Sequence, residues 1–193
     1  MQEGVVIKST GSWYEVRNDN GEVVLCRLRG KIRLDGLRTT NPVSVGDKVI
    51  YAKENNKDTC VINKILPRYN VIVRKSVNLS KASHIIASNI DQAILVATIA
   101  QPRTSTGFID RFLVTAEAYH IPTTIVFNKS DLYDEEQMAQ AEELISVFNN
   151  IGYHSFMISA KTGFQCEVLK GIMKDKVNLF SGHSGVGKSA LIN

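Results

Sequence analysis

The chain has 193 residues, 44% hydrophobic and 22% charged, a usage that excludes disordered, collagen-like and coiled-coil classes. The longest apolar run, residues 93–100, is too short to span a membrane, and Met1-Gln2-Glu3-Gly4 lacks the basic and apolar regions of a secretory signal. Net charge is +4 but uneven: residues 1–75 carry 14 Lys/Arg against 8 Asp/Glu, while residues 76–193 carry 9 against 11. The first part therefore suits a polyanionic partner, unless its charges are simply solvated. Cys26, Cys60 and Cys166 are odd in number and widely spaced, which argues against a disulfide framework or a metal knuckle. A soluble, cytoplasmic protein with reduced thiols, no membrane segment and a monomeric state is expected.

Residues 1–75 read as short strands separated by turns. Residues 14–17 run into Asn18-Asp19-Asn20-Gly21, whose Asn-Gly pair favours a tight hairpin. Residues 22–34 resume an extended pattern in which Val24, Cys26, Leu28, Ile32 and Leu34 share one parity. Arg27, Arg29, Lys31 and Arg33 share the other, so four cations project from one face as candidate RNA-phosphate contacts. Gly30 interrupts this run as a candidate bulge. Residues 48–53 and 60–66 are two further strands, and about five strands in this length predict an oligonucleotide-binding (OB) barrel. Trp13, Tyr14 and Tyr51 are each candidates for base stacking or, alternatively, for the barrel core; Trp13 and Tyr14 are adjacent, so one should face outward. The predicted domains are residues 1–70 for the barrel, 71–88 for a linker and 89–193 for an α/β nucleotide domain.

From residue 89 strands and helices alternate, which predicts a parallel sheet covered on both faces. Residues 93–98 form a compact apolar strand. Ile109, Phe112, Leu113 and Ala116 give residues 107–119 an amphipathic helix. Residues 123–127 are β-rich. Asp134 is a candidate cap for a helix with Glu135 and Glu136 in its first turn and Met138, Ala141, Ile145 and Phe148 on one face. Residues 156–158, 164–173 and 177–180 read as strand, helix and strand.

Three motifs fall where strands end. Asn128-Lys129-Ser130-Asp131 follows the 123–127 strand, and a carboxylate at Asp131 can accept both the ring N1–H and the exocyclic amine of guanine. Ser159-Ala160-Lys161 follows the next strand and can offer a backbone N–H to the guanine oxygen. The third motif is a complete G-x-x-x-x-G-K-S: Gly182, His183, Ser184, Gly185, Val186, Gly187, Lys188 and Ser189, with Ala190 opening a helix. Such a loop points backbone N–H groups at phosphates, with Lys188 as the cation and the Ser189 hydroxyl as a magnesium ligand. The His183 side chain is expected to be a spectator. Ordinary GTPases place the phosphate loop first, whereas here it comes last. A parallel sheet builds its site from loops at strand carboxyl ends whatever their order, so a circular permutation preserves the pocket.

With these motifs behind a basic barrel, nearly the whole chain resembles the circularly permuted, ribosome small-subunit-dependent GTPase family (RsgA). Arg68-Tyr69-Asn70-Val71-Ile72-Val73-Arg74, Ser88-Asn89-Ile90-Asp91-Gln92 and Ile109-Asp110-Arg111-Phe112-Leu113 support the likeness, while His183 stands where members often carry Gln. The resemblance implies GTP/GDP and Mg²⁺ as ligands and late maturation of the small ribosomal subunit. It further implies GTP hydrolysis stimulated by that subunit, with the barrel on its rRNA. Members continue through switch segments and an Asp-x-x-Gly motif into a Zn²⁺-binding domain, whereas this sequence stops at Asn193. The expectation is an N-terminal portion, with the hydrolytic residues unassigned, that by itself binds GTP poorly and does not hydrolyse it. Two other classes stay open: an RNA-binding module with a silent nucleotide half, and a P-loop ATPase or kinase.

Overall fold

The computed structural model describes residues 1–28, 42–54, 59–74 and 84–193, which divide into two units, Met1–Asn89 and Ile90–Asn193. In the first unit five strands close a barrel in the order β1-β2-β3-β5-β4. They are β1 (Gln2–Thr10), β2 (Trp13–Arg17), β3 (Val23–Leu28), β4 (Lys48–Lys53) and β5 (Cys60–Ile65). The expected OB-type barrel is therefore observed. Strand β1, which the alternation pattern does not reveal, closes it. Gln2 to Val5 pair with β4 and Val5 to Thr10 pair with β2, with an irregularity between Val6 and Lys8. That bulge places Val5, Val6 and Ile7 in a run without period-two alternation and lets one strand serve two neighbours.

The β2–β3 hairpin forms at the Asn-Gly pair, but as a three-residue loop, 19–21, in which Gly21 and not Asn20 takes positive φ. The Asn18 N–H donates to Glu22 O at 3.0 Å, the Glu22 N–H donates to Asn18 Oδ1 at 2.9 Å, and Gly21 takes φ +83°. Along β3 the predicted parity holds for the described residues: Cys26 is buried and Val24 and Leu28 half-buried, whereas Val23, Leu25 and Arg27 are exposed. Val6, Tyr14, Val16, Cys26, Val49, Tyr51, Cys60 and Ile62 fill the interior. Tyr14 and Tyr51 are thus core residues, and Trp13 is the outward aromatic at 40% exposure. Cys26 faces Cys60 across the parallel β3–β5 pair. Burial above all, and then the neighbouring Cys60, pushes the Cys26 thiol up to about 12, so it packs as a neutral group.

The second unit is a parallel sheet in the order β10-β9-β8-β11. Its strands are β8 (Gln92–Ala97), β9 (Thr123–Phe127), β10 (Ser155–Met157) and β11 (Asn178–Ser181). Helices α1 (Thr106–Ala118), α2 (Glu135–Asn150), α3 (Cys166–Met173) and α4 (Lys188–Ile192) alternate with them. Every residue of β8 and β9 is buried, as a sheet covered on both faces requires. Period-two alternation sorts them: Leu95, Ala97, Ile125 and Phe127 pack with Ile109, Leu113, Ala141 and Phe148 of α1 and α2. Ile94, Val96 and Val126 join Phe156, Ile158, Leu169 and Val186 in a separate cluster. Asp134 caps α2 as predicted, accepting the Gln137 N–H at 2.8 Å. Helix α3 begins at Cys166, two residues beyond the predicted start, because the Phe164 carbonyl turns back to accept the Ser159 N–H at 3.1 Å.

Residues 71–88, read from the sequence as a connecting segment, contribute β6 (Val71–Arg74) and β7 (His84–Ser88), an antiparallel ribbon belonging to the first unit. A polar knot ties it to the barrel. Asp47 is fully buried, and its carboxylate accepts Arg68 Nε and Nη2 at 2.6 Å each. The same carboxylate takes Ser88 Oγ–H at 2.5 Å and the Ser44 N–H at 2.8 Å. The Asn89 side chain adds bonds to Gly46 O and the Tyr69 N–H at 2.9 and 3.1 Å. Removing the acid strands a nearly buried guanidinium, so Asp47→Ala is expected to lower unfolding free energy by about 3–5 kcal/mol. A urea midpoint that moves down with unchanged slope is the measurement.

Candidate functional site

Parallel register brings the carboxyl ends of β9, β10 and β11 to one rim, and the three motifs leave the sheet there. Asn128 binds them together. Its side chain is 1% exposed; Nδ2–H donates to Val186 O at 2.9 Å, and Oδ1 accepts the Ala160 N–H at 3.0 Å. One carboxamide thus joins the residues that follow all three strands. Its own carbonyl accepts the Tyr133 hydroxyl at 2.6 Å, and that hydroxyl accepts the Ile99 N–H at 3.1 Å. Burial chiefly pushes the Tyr133 phenol up and the Asp131 charge adds to this, against the opposing Ile99 hydrogen bond, so it remains a donor.

Asp131 sits in a short 3-10 turn, Ser130–Leu132, entered through Lys129 at φ +67°. The Asp131 Oδ1 accepts the Ser159 hydroxyl at 2.6 Å, and Oδ2 lies 4.0 Å from Lys161 Nζ. Ser159 is fully buried and its Oγ also accepts the Thr162 N–H at 3.2 Å, which fixes the hydroxyl rotor toward the acid. A carboxylate oxygen has two lone pairs, so a paired Asp131 keeps acceptor capacity for two parallel donors. Lys129 Nζ donates to Gln101 O at 2.5 Å. Of the backbone N–H groups of Ser159-Ala160-Lys161, that of Ala160 is taken by Asn128 Oδ1 and that of Ser159 by the Phe164 carbonyl.

The 182–189 loop departs from β11 through Gly182 at φ +141°, where a Cβ would stand 2.2 Å from Val96 O. At Gly187, φ +98°, a Cβ would come within 2.2 Å of Asn128 Nδ2. Both positions admit only glycine, the second because the Asn128 bridge occupies the space. Val186 between them is fully buried. Lys188 Nζ donates to Gly182 O at 2.9 Å and His183 O at 2.7 Å, curling its ammonium back over the loop. Ser184, Gly185 and Ser189 are exposed, with Ser189 and Ala190 in α4. The His183 ring lies against Phe108, the two planes tilted by 33°.

Residues 65–193 match the model of the RsgA GTPase and residues 3–61 that of the RsgA N-terminal domain. The chain belongs to the RsgA GTPase family. The Bacteroides fragilis (strain YCH46) protein named small ribosomal subunit biogenesis GTPase RsgA is 53% identical over 99% of this chain and 61% of its own length. Its namesake from Flavobacterium psychrophilum is 52% identical over 98% of this chain and 59% of its own length. Among solved structures, YjeQ from Thermotoga maritima is 39% identical with a TM-score of 0.80, covering 100% of this chain and 64% of that one. YloQ, described as a circularly permuted GTPase, is 34% identical with a TM-score of 0.73, covering 100% and 63%. The chain thus spans about three-fifths of the length of the curated relatives it matches.

As an RsgA-family barrel, the first unit has a mixed outer surface. Trp13 lies opposite Arg27 in the β2–β3 register, beside the exposed Leu25. Arg27 is ion-paired with Glu54, so its charge is not simply offered outward. Arg29, Lys31 and Arg33 lie outside the described residues. Among the described residues no group of three or more His, Cys, Asp or Glu could hold a metal, so the implied zinc finds no ligand set there. No described helix is long and apolar enough to cross a membrane.

Sequence reasoning misses Tyr133, Gln101 and Phe108 in the RsgA-family site. None falls in a motif, and each is brought in by a side-chain or carbonyl contact from another loop. Truncating Asn128 leaves the Val186 carbonyl and Ala160 N–H without their partner. Asn128→Ala is therefore expected to destabilise the second unit by about 1–3 kcal/mol, with hydrogen exchange at the Ala160 amide accelerated above that of the β8 amides.

Proposed function

We propose that the chain binds GTP and GDP with Mg²⁺ and that the full-length protein hydrolyses GTP during late maturation of the small ribosomal subunit. In this reading it is a cytoplasmic monomer, its barrel contacts rRNA, and the subunit stimulates hydrolysis. The observation that carries the nucleotide reading is the Asn128 bridge, which holds an acid for a base and a lysine loop for phosphates at one rim. The family supports the reaction, and the names of the relatives support the ribosomal setting.

Asp131, backed by the Ser159 hydroxyl, accepts the two neighbouring donors of guanine. Adenine lacks that pair and leaves a desolvated carboxylate short of partners. Lys129, Ser130, Ala160 and Lys161 complete the base pocket. Residues 182–190 surround the phosphates, and Lys188 exchanges its two carbonyl partners for β- and γ-phosphate oxygens. The exposed Ser189 hydroxyl beside Lys188 is a hard oxygen donor of the type Mg²⁺ takes. A magnesium ion held by Ser189 would supply charge neutralisation for the nucleotide's phosphates. No residue within 1–193 is assigned the positioning of the attacking water.

Titration of the full-length protein with fluorescent GDP, competed by GTP and by ATP, tests the base assignment: GTP should displace the probe and ATP should not. Asp131→Asn should weaken GDP roughly 10²-fold or more and gain xanthosine diphosphate, whose C2 carbonyl accepts from the new amide. Equal competition by ATP would transfer the site to the adenine class. For the barrel, reversing Arg29, Lys31 and Arg33 to Glu should weaken small-subunit binding. The log–log salt slope should become shallower by about 2–3 if each cation neutralises one phosphate, and an unchanged slope would reject the contact.

A further inference from the structure

The phosphate loop has a second anchor besides Asn128. The rings of His183 and Phe108 lie with centroids 4.0 Å apart and planes tilted by 33°. Phe108 stands in the first turn of α1, where its N–H donates to the capping Ser105 Oγ at 3.3 Å and to Ser105 O at 3.0 Å. Its ring packs against the cluster that contains Leu95, Ile109 and Phe127. Val186, three residues beyond His183, is fully buried in the other cluster, with Ile94 and Val96. Because Leu95 and Val96 are neighbours pointing to opposite faces of β8, the two anchors tie the loop to both layers of the core.

His183 itself is exposed, so burial does not account for its contact; what holds it is the close approach of two ring faces. The His183 carbonyl is one of the two acceptors of Lys188 Nζ, and Gly182, the other, directly precedes it. Ring position at residue 183 is thereby coupled to the peptide that orients the loop lysine. We propose that His183 is a positioning residue: its ring clamps the phosphate loop to Phe108 of α1 and slows nucleotide release. The role rests on the guanine-nucleotide reading of the same site. It needs a flat ring at residue 183 and does not need an imidazole proton.

The experiment is stopped-flow release of N-methylanthraniloyl-GDP from the full-length protein and from His183→Ala, His183→Phe, Phe108→Leu and the His183→Ala/Phe108→Leu double variant. Each of the two truncations should speed release by roughly three- to tenfold, the double should be no faster than the quicker single, and His183→Phe should stay within twofold of the parent. Release from His183→Ala within twofold of the parent would overturn the clamp, as would multiplied effects in the double variant. Loss of the upfield ring-current shift of the His183 ring protons in Phe108→Leu is the matching spectroscopic sign of a broken stack, and its persistence would count against the clamp. A parent that holds no GDP would remove the guanine reading and this role with it. A parent that holds GDP while His183→Ala releases it unchanged would remove this role alone.

Discussion

A single buried carboxamide organises the second unit. Asn128 leaves β9 with its backbone paired to Ala97 and its side chain divided between Val186 and Ala160. A side-chain amide is suited to this because it donates and accepts at once, and both neighbours are backbone groups that burial obliges to find partners. Aspartate at this position would only accept, and leucine would do neither. The bridge then dictates its surroundings: Gly187 cannot carry a Cβ within 2.2 Å of the Asn128 amide, and Tyr133 is kept as a phenol that donates to the Asn128 carbonyl.

The two units bury polar groups by different means. In the α/β unit the sheet interior is apolar on both faces, and buried polar side chains sit at the strand ends: Gln92, Thr123, Thr124 and Ser155 where strands begin, Thr98, Asn128 and Ser159 where they finish. In the barrel unit a charged pair is taken inside: the Asp47 carboxylate collects four donors, from Arg68, Ser88 and Ser44, and in doing so holds the β6–β7 ribbon. Two charges removed from water are tolerable only when so fully hydrogen-bonded. The ribbon needs this because two strands alone are marginal in water.

Chain order does not decide where the three motif loops meet. The 182–189 loop arrives last, yet β11 enters beside β8 in parallel register, and its carboxyl end meets the loops of β9 and β10. Convergence is a property of strand direction, so termini can be moved without relocating the chemistry. The loop is retained at its new place by side chains from several elements: Asn128 from β9, Phe108 from α1 and the core packing of Val186.

Much of this was legible in the residues themselves. Strands β8 and β9 read as apolar runs, α1 and α2 as 3.6-residue periods with a capping Asp134, and the three motifs as loops after strands, because each is a local pattern set by backbone geometry. The parity of β3 was legible for the same reason. Strand β1 was not, since its bulge removes the alternation, nor was the β6–β7 ribbon, whose identity depends on Asp47 far earlier in the chain. The Arg27–Glu54 pair, the Ala160 N–H turned toward Asn128 and the His183–Phe108 stack were likewise decided only by tertiary structure. Each joins groups from separate elements, and no spacing along a chain records which of many possible partners packing brings within bonding distance.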